Sequence, residues 1–235
     1  MNIVDYVILG IIGVSVLWGF YRGFIQSVLN MGGCLVALIA SFYVYPSLAE
    51  AIQSNQDWVR TLIHYTDASS RLGDLELSLT KVSSLTEGTI ATILTKVSLP
   101  EPLSSLLNYN LTNQVYAAQN ISTVADYVNQ TIVSVSINII CFLLCFVVIY
   151  LAFAIVLNLL RAVFRFPLLK QLDWLAGGIF GLARGVVFCY AAFVLIPLVQ
   201  TIVPFEQINE LISASTLAPI FNNGNLILSI MNRRL

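Results

Sequence analysis

From Tyr127 to Leu160 the chain has no Lys, Arg, Asp or Glu; Asp126 precedes the stretch and Arg161 ends it, leaving 34 uncharged residues in a row. At the charged content of soluble domains, roughly 25%, about 8 charges would fall there. About 20 mostly apolar residues suffice to cross a bilayer's hydrocarbon core, so the stretch reads as a membrane span with length to spare. The remaining sequence agrees: of 235 residues 58% are apolar and 10% charged, and mean hydropathy is +0.86. This composition argues against a water-soluble globular protein. With 11 Lys+Arg against 12 Asp+Glu there is no basic excess to neutralise phosphates along a backbone, so nucleic acid is not an expected partner.

Three further windows approach or reach spanning length: Ile3 to Phe20, Phe24 to Tyr45, and Trp174 to Val203. Asp5 sits at the start of the first, the second is uncharged, and the last holds only Arg184. The fold class expected is an all-α integral membrane protein with about four transmembrane helices. Ile3 to Tyr45 cannot be a single span, because its 43 residues would make a helix about 65 Å long, twice the hydrocarbon thickness. A break is expected at Phe20-Tyr21-Arg22-Gly23, where Gly permits unusual backbone angles and Arg22 suits the interface. The first window lacks the basic start and A-x-A-like cleavage site of a secretory leader, and is expected to be a retained anchor.

Basic residues in short loops orient the spans. The connection from Arg161 to Asp173 has Arg161, Arg165 and Lys170, and the first turn has Arg22. Both are expected on the cytoplasmic side, which puts both termini outside. Arg233 and Arg234 at the C-terminus dissent mildly. Between the second and third spans lie four basic residues against eight acidic ones (Glu50, Asp57, Asp67, Asp74, Glu76, Glu87, Glu101 and Asp126), a balance that agrees with an outside location. The expected organisation is a transmembrane hairpin over 1–45, a small helical extracytoplasmic module over 46–130, spans three and four over 131–203, and an extracytoplasmic C-terminal segment over 204–235. A cytoplasmic amphipathic connection occupies 159–174.

The module is rich in Ser, Thr, Asn and Gln but keeps apolar residues at helical spacing, as in Trp58, Val59, Leu62 and Ile63. It has no alternating strand runs, and Pro100 and Pro102 divide it. Thr123-Val124-Ala125-Asp126 resembles a capping box with Asp in place of Glu, so span three is expected to start there, about two turns above the bilayer. Beyond Pro204, the apolar positions Ile208, Leu211 and Ile212, then Ile227, Leu228 and Ile230, suggest two short helices lying on the surface or on the module, with a turn at Asn222-Asn223-Gly224-Asn225. N-x-S/T triplets begin at Asn110, Asn120 and Asn129; in so Ser/Thr-rich a stretch they read as chance.

Arg184 is the foremost candidate functional residue, because a charge some ten residues into a span costs at least a few kcal/mol and needs a reason. Two readings stand open: Arg184 inside the membrane, or Arg184 at the cytoplasmic interface with Trp174–Ala183 as a half-helix or re-entrant piece and the span running from Val186 to Phe205. Arg184 is the fourth residue of a G-x-x-R-G pattern at Gly181–Gly185 that repeats Gly19–Gly23, where Arg22 holds the same place. Gly177, Gly181 and Gly185, then Ser15, Gly19 and Gly23, then Gly33, Ala37 and Ser41, are small-x-x-x-small faces that let membrane helices approach closely, either inside the bundle or between copies. The Leu159–Trp174 stretch, interrupted at Pro167, is expected along the inner leaflet through attraction to anionic lipid. Asp173 is a candidate for pairing with Lys170, for stabilising a helix start near Trp174, or for a proton relay.

Cys34, Cys141, Cys145 and Cys189 all fall in expected spans, so no disulfide framework holds the exterior; Cys141 and Cys145, one turn apart without His or acidic neighbours, read as small apolar filler, not metal ligands. His64, flanked by Asp57 and Asp67, is the single histidine. No G-x-S-x-G, H-E-x-x-H or Walker loop accompanies it. Neither catalytic residues, nor a bound metal, nor a cofactor is expected.

Asp5-Tyr6, Arg22-Gly23-Phe24 and above all the run from Leu172-Asp173-Trp174 through Gly177-Gly178-Ile179-Phe180-Gly181 to Arg184-Gly185 resemble the colicin V production protein (CvpA) family, over about residues 1–45 and 135–203. The resemblance implies a bacterial inner-membrane protein of about four spans, associated with production or export of a peptide toxin, with no defining enzymatic activity or cofactor. It marks Asp5, Arg22, Asp173 and Arg184 as candidate functional positions. The 85 residues between spans two and three exceed the short connection of compact members and resemble the longer forms common in Gram-positive bacteria. The expected role is accessory, in secretion or envelope homeostasis, through contacts with the lipid bilayer, with other membrane proteins or with itself. The alternative is a small transporter or channel with Arg184 or Asp173 facing a polar path; few other polar residues (Gln26, Asn30, Asn138 and Asn158) occupy the spans to line one. An intramembrane hydrolase lacks a recognisable nucleophile and base.

Overall fold

A computed structural model describes residues 1–55, 58–59, 61, 63, 72–100, 103–119, 121–163, 170–202, 210–222 and 226–232. Outside these lie His64, Asp57, Asp67, Leu62, Pro102, Asn120, the 164–169 part of the amphipathic connection with Arg165 and Pro167, Pro204, Ile208, Asn223–Asn225, and Arg233 and Arg234. Regular structure among the described residues is helical, apart from an isolated antiparallel bridge between Lys81 and Thr123.

Helix α1 (Ile3–Arg22) is started by a capping box: the Asn2 side chain accepts from the Val4 and Asp5 amides, while the Asp5 carboxylate accepts from the Asn2 amide at 2.8 Å. It stops at Gly23, whose φ of 79° lies where side-chain-bearing residues are strained. Helix α2 (Phe24–Gln53) starts immediately after it, so the break between the first two spans falls at the expected tetrapeptide. Tyr45, however, does not end α2, which continues through Pro46 for eight residues to Gln53; the 45/46 boundary is no structural break.

The module holds α3 (Leu75–Leu79), α4 (Glu87–Val97) and α5 (Leu103–Thr112). Asp74 caps α3 and pairs with Lys96 on α4 at 2.9 Å, and the nearby ammonium holds its carboxyl below the ordinary range. Helix α6 (Val124–Val163) has 40 residues and is therefore about 60 Å long. It begins where expected, with the Asp126 amide donating to Thr123 Oγ1 at 3.3 Å. The return bond differs from a capping box, since the Thr123 hydroxyl itself donates to the Asp126 carboxylate at 2.6 Å. A helix of that length exceeds the hydrocarbon core by about 30 Å, shared between its two ends. Its first turns carry the module: Ile93, Leu103, Leu107 and Leu111 are buried in one apolar cluster with Val124, Val128 and Ile132 of α6 and Cys34, Tyr45 and Phe142 of the spans.

Helix α7 (Lys170–Phe193) is unbroken. Trp174–Ala183 runs into Arg184 and beyond without interruption, so that stretch is no separate half-helix or re-entrant piece, and Arg184 is the fifteenth residue of a 24-residue helix. Helix α8 (Ile196–Ile202) begins after Val194 and Leu195. The interruption has a cause in Pro197, whose ring conflicts with a helical carbonyl four residues earlier, at Phe193. Taken together, Ile3–Arg22, Phe24–Gln53, Val124–Leu159 and Asp173–Gln200 are four segments long and apolar enough to cross a membrane.

Helix α7 packs along both α1 and α2, and α2 packs along α6. The α1–α2 turn, the last turns of α6 and the first turns of α7 share one end of the bundle; the N-terminus and the module occupy the other. The last helices, α9 (Ala218–Asn222) and α10 (Leu226–Asn232), rest on the bundle, α9 against α1 and α7 and α10 against α7. Ala218 and Phe221 are buried with Ile8, Cys189 and Phe193.

The module is tied to α6 by a buried amide. Asn110 Nδ2 donates to Thr131 Oγ1 at 3.0 Å and to the Tyr116 hydroxyl at 3.1 Å. Replacing Asn110 with Ala leaves those oxygens without their buried donor, at a cost of about 1–3 kcal/mol; thermal unfolding in detergent will show a lowered Tm, with the spans' helical signal outlasting that of the module.

Candidate functional site in the membrane-spanning bundle

The site is set by how closely α1 and α7 approach. A Cβ on Gly181 would stand 2.5 Å from the Ser15 carbonyl oxygen and one on Gly177 2.5 Å from the Gly19 carbonyl oxygen; Gly19 would collide in turn with the Gly177 carbonyl, and Gly185 would press on Ile12 and Ser15 at 3.1 Å. Ser15, Gly19 and Gly23 thus meet Gly177, Gly181 and Gly185 within a single chain. Gly33 faces Phe153 and Leu157 of α6 at ordinary contact distance. Gly178 leaves the space that Phe20 fills, and the Phe20 ring stacks on Trp174 at 4.4 Å.

Because α1 and α7 are in backbone contact, the Arg184 side chain cannot lie between them and runs across Ser15. Its Nε donates to Ser15 Oγ at 3.1 Å and an Nη to the Ser15 carbonyl at 3.3 Å, while the Ser15 hydroxyl donates to the Gly181 carbonyl at 2.7 Å. Arg184 is 6% exposed and its guanidinium stands 5.9 Å from the Phe188 ring. It opens onto a cleft of about 630 Å³ lined by Ser15, Trp18 and Arg22 of α1, Asn30 of α2, Tyr150 and Asn158 of α6, and Phe188 of α7, with Gly10, Ile11, Val14 and Ala154 completing the walls. Arg22 lies over the Trp18 ring at 5.0 Å and donates to Asn158 Oδ1 at 3.0 Å, joining the end of α1 to α6. The cleft therefore holds two guanidinium groups, two amides and a phenol, and no carboxylate among its described lining.

The two candidate carboxylates lie elsewhere. Asp173 Oδ1 accepts from the Phe24 amide at 2.7 Å, and a Cβ on Gly23 would strike the same carboxylate. Asp173 thus stabilises a helix start, but that of α2, which its own Gly23 cannot cap with a side chain. Asp5 is fully buried at the opposite end, where Oδ1 accepts from Ser215 Oγ at 2.6 Å and from the Leu217 amide at 2.9 Å. Ser215 Oγ in turn accepts from the Ala218 amide at the start of α9, so Asp5 clasps the C-terminal helices to α1. Of the polar residues noted in the spans, Asn30 and Asn158 reach the cleft, whereas Asn138 accepts from Gln53 nearer the module. Trp18, Tyr150 and Phe188 carry no signal in the sequence, since aromatic residues in an apolar helix look alike until the helices are packed.

A leucine at Gly181 cannot be accommodated by side-chain motion, because its Cβ meets backbone. Gly181→Leu will cost about 1–3 kcal/mol or more as overpacking and will displace Arg184 from Ser15; heat-induced loss of the folded species on size-exclusion chromatography checks it, with Leu182→Ala on the exposed side of the same helix expected to be neutral.

A family model described as Colicin V production protein matches residues 4–72 and 113–225, most of the chain. The unmatched stretch between those segments contains α3, α4 and α5. A curated relative named Colicin V production protein homolog, from Haemophilus influenzae, is 46% identical over 46 residues, which cover 20% of this chain and 28% of the relative. No solved structure matches.

Proposed function

The chain belongs to the colicin V production protein family, and from that and the geometry above we propose that it is an accessory protein of the bacterial inner membrane, assisting peptide-toxin secretion or envelope homeostasis through binding contacts and without catalysing a reaction. The single observation that carries this reading is the module built on the free end of α6. Its core is continuous with that of the spans, so it is held at a fixed height over the bilayer, yet Leu75 and Leu79, one turn apart on α3, are 74% and 65% exposed. Apolar side chains so placed, outside the spans, suit contact with another envelope component. In this reading the bundle end with Arg22, Arg161 and Lys170 faces the cytoplasm, and both termini and the module lie outside, in accord with the distribution of basic residues.

The double variant Leu75→Glu/Leu79→Glu tests it. Wild-type membrane abundance with loss of the export and envelope-stress phenotypes, in complementation of a deletion strain, is expected; full complementation at normal abundance overturns the reading.

A second reading, a small transporter or channel, is favoured by the cleft. Its lining along α1 runs from Gly10 to Arg22, about 18 Å at 1.5 Å per residue, which is short of the hydrocarbon thickness of about 30 Å. In the accessory reading the cleft is a recess, not a through path. Cysteine substitutions at Asn30, Asn158 and, beyond the recess, Val7 separate the readings in a background freed of native cysteines. The accessory reading expects Asn158→Cys to react with a membrane-impermeant thiol reagent from one side only. Reaction of all three, from both sides, establishes the transporter.

A further inference from the structure

We infer that the cleft between α1 and α6 is a binding site for an anionic phospholipid, whose phosphate is held between the Arg184 and Arg22 guanidinium groups while its chains lie along the outer walls of those helices. The inference goes beyond the accessory role and stands without it.

Charge carries the first part of the argument. Arg184 is fastened to Ser15 and Arg22 over Trp18. Ser15 and Trp18 are three residues apart, so the two cations are held within about one turn along α1. Like charges so close repel, the more strongly for being in an apolar surrounding. Among the described lining no carboxylate offsets them, and the nearest candidate, Asp173, is committed to the Phe24 amide. Of the five N–H donors of Arg184 two are used by Ser15 and one faces the Tyr150 hydroxyl, and one of Arg22 is used by Asn158, so both forks keep donors for an anion. Paired guanidiniums match phosphate oxygens in geometry as well as charge.

The walls say which kind of anion. Apart from Ser15, Asn30, Asn158 and the Tyr150 hydroxyl the remaining lining is apolar, and the ridges that flank it are exposed: Val14 and Leu17 on α1, Leu151 and Ile155 on α6, all more than half exposed. These side chains have only lipid to meet in a membrane. An anion bearing acyl chains covers them and places its charge on the arginines in one act, which a free inorganic anion does not. A cleft of about 630 Å³ is within the usual range for ligand pockets, about 300–1,000 Å³.

Trp18, one of three tryptophans, lines the cleft and reports on it. The full chain with Trp58→Phe and Trp174→Phe, in phosphatidylcholine vesicles, is titrated with brominated phosphatidylglycerol or with brominated phosphatidylcholine. A companion protein retaining only Trp174, which stacks on Phe20 outside the lining, measures general enrichment of anionic lipid near that end. Quenching of Trp18 is expected to saturate at a mole fraction of brominated phosphatidylglycerol about ten-fold below that for brominated phosphatidylcholine, a preference absent at Trp174, and Arg184→Gln is expected to abolish it. Inorganic phosphate at millimolar concentration is expected not to relieve the quenching. If Arg184→Gln lacks the wild-type helical signal, Arg22→Gln, at the rim of the cleft, takes its place and is expected to reduce the preference. Equal quenching of Trp18 by both lipids overturns the proposal, as does an equal preference at Trp174, protection of Trp18 from both lipids by a second copy or another occupant, or relief by inorganic phosphate.

Discussion

Helices α1 and α7 touch backbone to backbone, and the positions of the other functional features depend on that contact. Between lipid-embedded helices there is no hydrophobic drive of the kind that assembles soluble bundles, so close van der Waals contact and interhelical hydrogen bonds must do more of the work. Glycine at 19, 177 and 181 makes the contact geometrically available. Ser15 then bonds to the Gly181 carbonyl and receives the Arg184 guanidinium, which satisfies part of a charge that would be costly if left without partners. The same approach brings Asp173 onto the α2 N-terminus at Phe24, so the helix hairpin made by α1 and α2 is locked to α7 at its turn.

Two carboxylates, one near each end of this contact, hold chain segments remote in sequence. Asp173 joins α7 to α2, while Asp5 joins α1 to the segment that leads into α9. Each accepts from a backbone amide, and such bonds from main-chain donors to carboxylates are among the stronger ones available. The bundle therefore has a polar fastening near both ends of the seam, beside the Ser15–Arg184 contact within it, which fixes the register between α1 and α7 as well as their spacing.

Features that depend on local composition are legible in the sequence. The spans are set by uncharged length, the break at Gly23 by the impossibility of a helix of about 65 Å within one bilayer, the start of α6 by Thr123 and Asp126, and the small-residue faces by their spacing. Partnerships across the chain are not legible. Asp5 meets Ser215 across 210 positions and Arg184 meets Ser15 across 169, and no periodicity in one helix discloses which turn of another will lie beside it. Asp173 shows the difference well: its suitability for a helix start can be read from its neighbours, but which helix it caps cannot. The apolar window that ends at Tyr45 marks where spanning composition stops, not where α2 stops; the helix runs on through Pro46 to Gln53.

Helix α6 contains neither glycine nor proline from Val124 to Val163, the residues at which helices most readily bend. It carries the module on its first turns and presents Tyr150 and Asn158 to the cleft near its last. Tyr127, deep in the module's core, and Tyr150 are 23 residues apart, which is about 35 Å of straight rod. A stiff helix of this kind couples its two ends: with no glycine or proline between them, a change of tilt at the module also moves the wall against which Arg22 is hydrogen-bonded.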